Sequence, residues 1–304
     1  MHDKVLIFPI DKGEEALQIA SIWGTIESMR RIYLVPNVIT AFSLVAGLFV
    51  IFKVNMIEPG MGTYKLLLTS SILLLLAACA DLVDGAIARV MHAESEFGVL
   101  FDSLADAVTF GVAPSVLMLK SLSLEQGTPL SFFAVVGAMV FSVCGILRLV
   151  RFNVKHAMLK ETSEEEKKKH QHFTGLPIPA AALAVVGSNL LMAYPRFEEW
   201  AGLSEPLQTI ILGSISIVLG YFMISRFKFP SSKVLHFRVP SFQLVFFAVV
   251  LGFFVLYGIL YFFPVTLFAA IWFYILLGWV LGLIRIIAGK KSKTLVEFEP
   301  DHDE

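Results

Sequence analysis

The sequence has little charge and almost no cysteine. Asp, Glu, Lys and Arg make up 16% of its 304 residues, against roughly 25% in typical soluble domains, and the mean hydropathy is +0.76. These values exclude an ordinary soluble domain. The two cysteines, Cys79 and Cys144, lie in apolar segments, so we interpret them as small buried apolar residues rather than a disulfide or a metal site.

Long apolar windows are what the sequence has in abundance. Windows near 20 residues long can cross a bilayer as helices. Eight such windows cover approximately residues 35–54, 64–90, 97–119, 129–154, 176–194, 207–224, 240–262 and 264–288. Only Phe263 lies between the last two, and Pro264, which opens the last window, is a stop signal between helices. We predict an all-α polytopic membrane protein with about eight transmembrane helices.

The basic residues are distributed unequally between the two sides predicted by these windows. With the amino terminus inside, the inner segments hold 20 of the 24 Lys and Arg residues. The outer side keeps only Lys53, Lys65, Lys120 and Arg196. Because cytoplasmic loops of membrane proteins are enriched in basic residues, we expect both termini to face the cytoplasm from the cell inner membrane.

The windows also suggest a division of the chain. We expect no cleavable signal in residues 1–34, because no compact apolar core precedes a small-residue cleavage site there. Residues 14–33 have apolar residues at mostly helical spacing. They predict an amphipathic helix on the inner surface, or an ordinary docking helix. We expect residues 35–224 to form a six-helix core, residues 225–288 to add further membrane helices, and residues 289–304 to form an acidic, solvent-facing tail. The charged loop 155–172, which includes His170 and His172, is interpreted as solvated.

Four aspartates lie in or beside the second and third windows. Each carboxylate at a membrane helix centre costs about 2.5–3.5 kcal/mol, so a cation is expected to neutralise them. Asp81 and Asp84 are three residues apart, and Asp102 and Asp106 are four apart, so each pair lies on one helix face. A short connection joins the two helices, which makes them antiparallel neighbours. We therefore expect all four carboxylates to converge.

A cluster made only of carboxylate oxygens favours hard ions such as Mg²⁺ or Mn²⁺ over zinc. Two ions sharing bridging carboxylates would cancel four negative charges and hold a diphosphate. Asp81 lies about 9 residues from the helix end, which places the site roughly 13 Å deep. Structural ion pairs, or an ion path in a transporter, are the alternatives for membrane carboxylates.

Small and basic residues accompany the aspartates. Gly85 and Ala88 lie on the aspartate face, and Gly98 opens the next helix. The lack of large side chains there lets a phosphate approach the backbone. Arg89, one turn beyond Gly85, is placed to bind a diphosphate oxygen. The sequence therefore predicts a substrate crevice.

These residues form a recognisable motif. The spacing Asp81-x2-Asp84-Gly85-x2-Ala88-Arg89-x8-Gly98-x3-Asp102-x3-Asp106 resembles the complete signature of the CDP-alcohol phosphatidyltransferases. The resemblance implies a two-metal site with Asp81, Asp84 and Asp102 as ligands. It also implies that Asp106 completes the metal site and acts as the general base, and that the protein is a homodimer.

Further segments are similar to the bacterial and archaeal CDP-diacylglycerol–serine O-phosphatidyltransferases. They are Pro36-Asn37-x2-Thr40, the stretch from Asp102 to Pro114, Arg148-Leu-x-Arg151-Phe-Asn153 and Gly175-Leu-Pro-x-Pro-Ala-Ala181. This similarity implies transfer of a phosphatidyl group from CDP-diacylglycerol to L-serine, with membrane lipid and no nucleic acid as partner.

Two further pairs of residues are candidates for substrate contacts. Arg148 and Arg151 are placed to bind the serine carboxylate, or they anchor their helix at the interface. Asn37 and Thr40 are placed to bind the cytidine or its phosphates, or they cap the first helix with Pro36.

Alternative functions are transfer to glycerol 3-phosphate or an inositol phosphate, an aspartate-rich prenyltransferase, and a cation transporter. The sequence is compatible with either a diacyl or a diether lipid as the substrate, and with either Mg²⁺ or Mn²⁺ as the metal.

Overall fold

The computed structural model describes residues 36–58, 63–90, 96–125, 127–160, 175–225, 252 and 256–288. The predicted N-terminal surface helix, His170 and His172, most of the seventh apolar window and the acidic tail lie outside these residues. Helices are the only regular secondary structure in the described ranges, which confirms the all-α fold class.

The helices follow one another with short connections. In chain order they are α1 (Pro36–Asn55), α2 (Tyr64–Val90), α3 (Glu96–Asp106), α4 (Ala113–Ser121), α5 (Pro129–Lys160), α6 (Ile178–Met192), α7 (Pro195–Ala201), α8 (Glu205–Ile224) and α9 (Phe263–Ala288). A π-helical turn, Ala107–Val112, joins α3 directly to α4. Residues 256–261 are also helical.

Six spans in the described residues are long and apolar enough to cross a membrane. They are α1, α2, α3 continued by α4, α5, α8 and α9. The chain is therefore an integral membrane protein, and six of the predicted windows are confirmed as candidate spans. The fifth window corresponds to α6, which passes the same test only together with α7, bent from it by 71°. The total of eight spans stays a prediction.

Helix α6 is the centre of the bundle. Every residue from Ala181 to Leu191 is buried, and α6 contacts α2, α4, α8, α9 and the π-helical turn. A helix that is apolar all round is expected in such a position. Its small residues allow neighbouring backbones to approach closely.

Glycines set the distance between α5 and α8. A Cβ atom added to Gly137 would lie 3.0 Å from the Gly213 carbonyl oxygen. One added to Gly220 would lie 3.4 Å from the Phe141 Cα. Small residues at the contact are the usual means of packing membrane helices closely. This contact places the motif of α5 that contains Arg148 beside the end of α8.

The segment before α6 shows why a glycine is needed at position 175. Gly175 has φ of 86°, and a Cβ atom there would collide with the carbonyl oxygen of Met223. The next residue, Leu176, donates its backbone N–H to the Phe222 carbonyl oxygen at 3.1 Å. Glycine adopts positive φ without strain, so the entry to α6 is held against the end of α8.

The π-helical turn begins directly after Asp106. Pro114 has no backbone N–H to donate to a carbonyl one turn earlier, and proline inside a helix disturbs the preceding turn. A widened turn at Ala107–Val112 accommodates this disturbance. Thr109, within the turn, donates its hydroxyl to the Ser43 carbonyl oxygen of α1 at 3.1 Å. The turn therefore connects the Asp106 end of α3 to α1.

Exposed apolar side chains cover the outside of the bundle, among them Leu82, which is 71% exposed, and Leu104, 65% exposed. In a membrane such side chains contact lipid.

Both cysteines are free thiols; Cys144 is half-buried, and Cys79 is exposed. The interpretation of Cys79 as a buried residue is wrong, because it lies on the outer face of α2.

Candidate active site and metal-binding cluster

Three of the four predicted aspartates meet between α2 and α3. Asp81, Asp102 and Asp106 each contribute one carboxylate oxygen, and these oxygens all lie within 4.8 Å of one another. Asp102 and Asp106 are one turn apart on α3, so both face the same side of α2. All three residues are half-buried. The spacing is short enough for one ion to contact all three.

The carboxyl groups of Asp81 and Asp106 are in hydrogen-bonding contact. Asp102 also interacts electrostatically with both Asp81 and Asp84. Neighbouring carboxylates in a partly dry environment repel each other unless a proton or a cation lies between them. The donor set contains only carboxylate oxygens, which suits a hard divalent ion. The cluster therefore has the chemistry of a cation site.

Asp84 lies outside this group of three and has another partner. Its side chain is 4% exposed, and its Oδ2 accepts a hydrogen bond from the Thr40 Oγ1 at 2.7 Å. Thr40 was expected to contact the nucleotide or to take part in the helix start. Its Oγ1 also lies 3.1 Å from the Pro36 carbonyl oxygen. In the structure Thr40 therefore links α1 to an aspartate of the predicted metal site.

The remaining predicted nucleotide contacts lie along α1, α2 and α3. Asn37 is half-buried near the start of α1, and Gly98 is half-buried in the first turn of α3. Gly85 is exposed, and a Cβ atom added there would meet nothing within 4 Å. The space beside Gly85 is therefore open, as a substrate crevice requires. Ala88 and Arg89 belong to the last turn of α2, and their side chains are not among those described.

The two predicted serine-binding arginines have different surroundings. The Arg148 Nε is buried and has no hydrogen-bond partner, and the Arg148 charge interacts with Asp106. Arg151 is exposed, and its NH1 group donates to the Ile224 carbonyl oxygen at the end of α8 at 3.4 Å. A cation beside a helix C-terminus is a common stabilising contact. The structure therefore brings Arg148 to the aspartates and Arg151 to α8.

Two polar residues near the site had no role in the sequence interpretation. Asn153 exchanges hydrogen bonds with Ser103, the neighbour of Asp102, with the Asn153 Nδ2 2.9 Å from the Ser103 Oγ. Asn153 ends the Arg148-Leu-x-Arg151-Phe-Asn153 motif, and this motif is the sequence feature that could have indicated it as a site residue. Tyr274 of α9 interacts electrostatically with Arg148. Tyr274 is a single tyrosine in a highly apolar window, so the sequence pattern did not indicate it as a site residue.

Comparisons with known proteins show the family of the chain. The model of the CDP-alcohol phosphatidyltransferase family matches residues 33–223. The chain is 35% identical over 214 residues to the CDP-diacylglycerol–serine O-phosphatidyltransferase of Helicobacter pylori strain J99, covering 70% of this chain and 79% of that protein. The chain therefore belongs to the CDP-alcohol phosphatidyltransferase family.

Relatives with the same name occur in other organisms. The protein from Methanocaldococcus jannaschii is 30% identical over 204 residues, which is 67% of this chain and 77% of the relative. The protein from Bacillus subtilis is 36% identical over 153 residues, which is 50% of this chain and 70% of the relative. The similarity thus extends to both bacterial and archaeal members.

Proposed function

We propose that this protein transfers a phosphatidyl group from CDP-diacylglycerol to L-serine, forming phosphatidylserine and CMP. The observation that carries the proposal is the cluster of Asp81, Asp102 and Asp106 within the family motif of a membrane protein. The names of the relatives from three organisms support serine as the acceptor. The lipid substrate reaches such a site from the bilayer, and serine from the aqueous side.

The aspartates are the residues proposed to hold the metal. Asp81, Asp102 and Asp106 supply three oxygens in one place, and Asp84 adjoins them with one oxygen bonded to Thr40. We propose two ions, Mg²⁺ or Mn²⁺, because four carboxylates match their combined charge. When bound, such ions would stabilise the negative charge of the diphosphate and of the departing CMP.

Asp106 is proposed to accept the proton of the serine hydroxyl. The serine oxygen then forms a bond to the phosphorus that carries the diacylglycerol. The bond from this phosphorus to the bridging oxygen breaks, and that oxygen leaves with CMP. The proton taken by Asp106 balances the charge, and no covalent enzyme intermediate is needed. Asn37, Thr40, Gly85, Ala88, Arg89 and Gly98 are the proposed CDP-diacylglycerol contacts.

Arg148 is the stronger candidate for the serine carboxylate. It has a buried Nε donor without a partner, and its charge interacts with Asp106. A guanidinium is suited to binding a carboxylate through paired hydrogen bonds. Arg151 is proposed to contribute from the exposed end of α5, although its NH1 group contacts α8.

The reaction is tested with purified protein, CDP-diacylglycerol, Mn²⁺ and labelled serine. The expected result is label in the lipid phase and CMP in equal amounts. Unlabelled glycerol 3-phosphate or inositol phosphate, added in excess, should not displace the label. Metal-dependent ion flux in vesicles without CMP formation would instead identify a transporter.

We further propose that the site and both termini face the cytoplasm of a cell inner membrane, because the basic residues are concentrated in the segments predicted to lie inside. Labelling of cysteines introduced at exposed positions such as Glu199 and Met56 in intact cells tests this orientation.

A homodimer is proposed from the family resemblance. Crosslinking of the detergent-solubilised protein, read as a band of twice the monomer mass, tests it.

A further inference from the structure

Helix α9 lies outside the 33–223 segment that the family model matches, yet it is built into the bundle. The Trp272 Nε1 donates to the Ser188 Oγ of α6 at 3.0 Å. The Trp279 ring packs on Phe222 of α8 with 4.7 Å between the ring centroids. Between these two contacts, Ile275 is fully buried. The middle of α9 therefore has a fixed position against the family core.

Tyr274 lies between the two tryptophan contacts. It packs on the edge of the main apolar core, and its hydroxyl interacts electrostatically with the Arg148 guanidinium. Arg148 interacts in turn with Asp106. One residue of α5 thus lies within electrostatic reach of both the aspartate cluster and α9.

The chemistry of the two groups is complementary to a carboxylate. A guanidinium has only donors, whereas a tyrosine hydroxyl accepts through its oxygen and donates through its hydrogen. The buried Arg148 Nε has no partner in the structure, and buried donors in proteins are normally satisfied. An anionic group of the acceptor would satisfy it.

We propose that Tyr274 is a specificity-determining residue that, together with Arg148, binds the carboxylate of the acceptor amino acid. This inference rests on the proposed transfer to serine. Serine is a small molecule, so its hydroxyl can reach Asp106 while its carboxylate is held by Arg148 and Tyr274. The extra helix then supplies acceptor recognition that the matched family segment does not contain.

The test compares Tyr274→Phe with Tyr221→Phe. Both variants remove one oxygen atom, but Tyr221 is 66% exposed on the outside of α8. Tyr274→Phe is expected to raise the KM for serine roughly tenfold, as loss of a hydrogen bond to a charged group does. Its KM for CDP-diacylglycerol should not change, because the proposed contact is made only to the acceptor. Tyr221→Phe should match the wild type in both constants.

A second acceptor separates recognition from general damage. Serinol replaces the serine carboxylate with a hydroxymethyl group, so the wild type should prefer serine strongly, and Tyr274→Phe should lose much of that preference. Tyr274→His, which keeps a ring donor, provides a second variant if the phenylalanine variant does not fold. An unchanged KM for serine, or equal changes in both KM values and kcat, would overturn the inference. Absence of any serine product from the wild type would instead overturn the proposed function.

Discussion

The Thr40 hydroxyl of α1 donates a hydrogen bond to the Asp84 carboxylate of α2 across 2.7 Å. The two residues are 44 positions apart, and both are buried, Thr40 at 5% and Asp84 at 4% exposure. A buried carboxylate requires hydrogen bonds or a cation. The Thr40 hydroxyl therefore supplies a hydrogen bond that stabilises the buried Asp84 carboxylate near the other three aspartates.

Replacing Thr40 with valine removes this hydrogen bond while nearly keeping the side-chain volume. A buried acceptor without its donor costs about 1–3 kcal/mol, so we expect lower thermal stability and lower kcat/KM. The measurement is CMP release at increasing Mn²⁺ concentration. Thr69→Val is the matched control, since the Thr69 hydroxyl bonds only within α2 and is exposed. Equal behaviour of the two variants would argue against the role of Thr40.

Replacing Asp106 with asparagine removes the proposed proton acceptor and keeps the size of the side chain. General base catalysis contributes roughly 10²–10⁴-fold to a rate, so kcat at saturating Mn²⁺ should fall within this range. Binding of CDP-diacylglycerol, measured at equilibrium, should persist because other residues are proposed to contact the nucleotide. A turnover close to that of the wild type would show that Asp106 is not the base.

Gly47 of α1 lies directly against the π-helical turn. A Cβ atom added there would be 2.7 Å from the Thr109 Cα, a backbone atom that moves only with the turn. Gly47→Ala is therefore expected to cost about 1–3 kcal/mol through overpacking and to lower the melting temperature. Gly111→Ala provides the contrast, because the added atom would meet its nearest neighbour at 3.8 Å. If both variants have the same melting temperature as the wild type, Gly47 of α1 does not pack closely against the π-helical turn.

Gly85 offers the opposite case, since a Cβ atom added there meets nothing within 4 Å. Gly85→Ala should leave the melting temperature of the substrate-free protein unchanged or slightly higher, because alanine favours helix by about 1 kcal/mol over glycine. If the open space holds the diphosphate, the KM for CDP-diacylglycerol should rise severalfold. A normal KM in this variant would place the substrate elsewhere.

The sequence was sufficient for the features that follow from regular periodicity. Apolar windows predicted the six described spans because the bilayer requires length and hydropathy. Helical spacing predicted that Asp102 and Asp106 share a face. Together with the family motif, this predicted that all four aspartates converge, and the structure brings Asp81, Asp102 and Asp106 into one cluster.

Features that depend on packing between distant segments were not predictable in this way. The Thr40 to Asp84 contact depends on how α1 lies against α2, and helical spacing within either segment carries no such information. The third window was predicted as one span, but hydropathy does not distinguish a π-helical turn from a regular helical turn within it. Tyr274 was missed because nothing in its apolar window relates it to Arg148.

Metal removal should reveal the repulsion among the clustered carboxylates. Without a divalent ion, carboxylate oxygens of Asp81, Asp102 and Asp106 lie within 4.8 Å of one another, and the single positive charge of Arg148 offsets only part of their charge. An ion that binds only the folded protein raises its stability. We expect chelation to abolish CMP release and Mn²⁺ to raise the melting temperature by several degrees. Asp102→Asn should make the chelated protein more stable than the wild type, since one charge is lost, and should reduce the Mn²⁺ effect. Glu198→Gln removes an exposed charge on α7 and should retain the full effect. A Mn²⁺ shift of the same size in Asp102→Asn would mean that the ion stabilises the protein from another site.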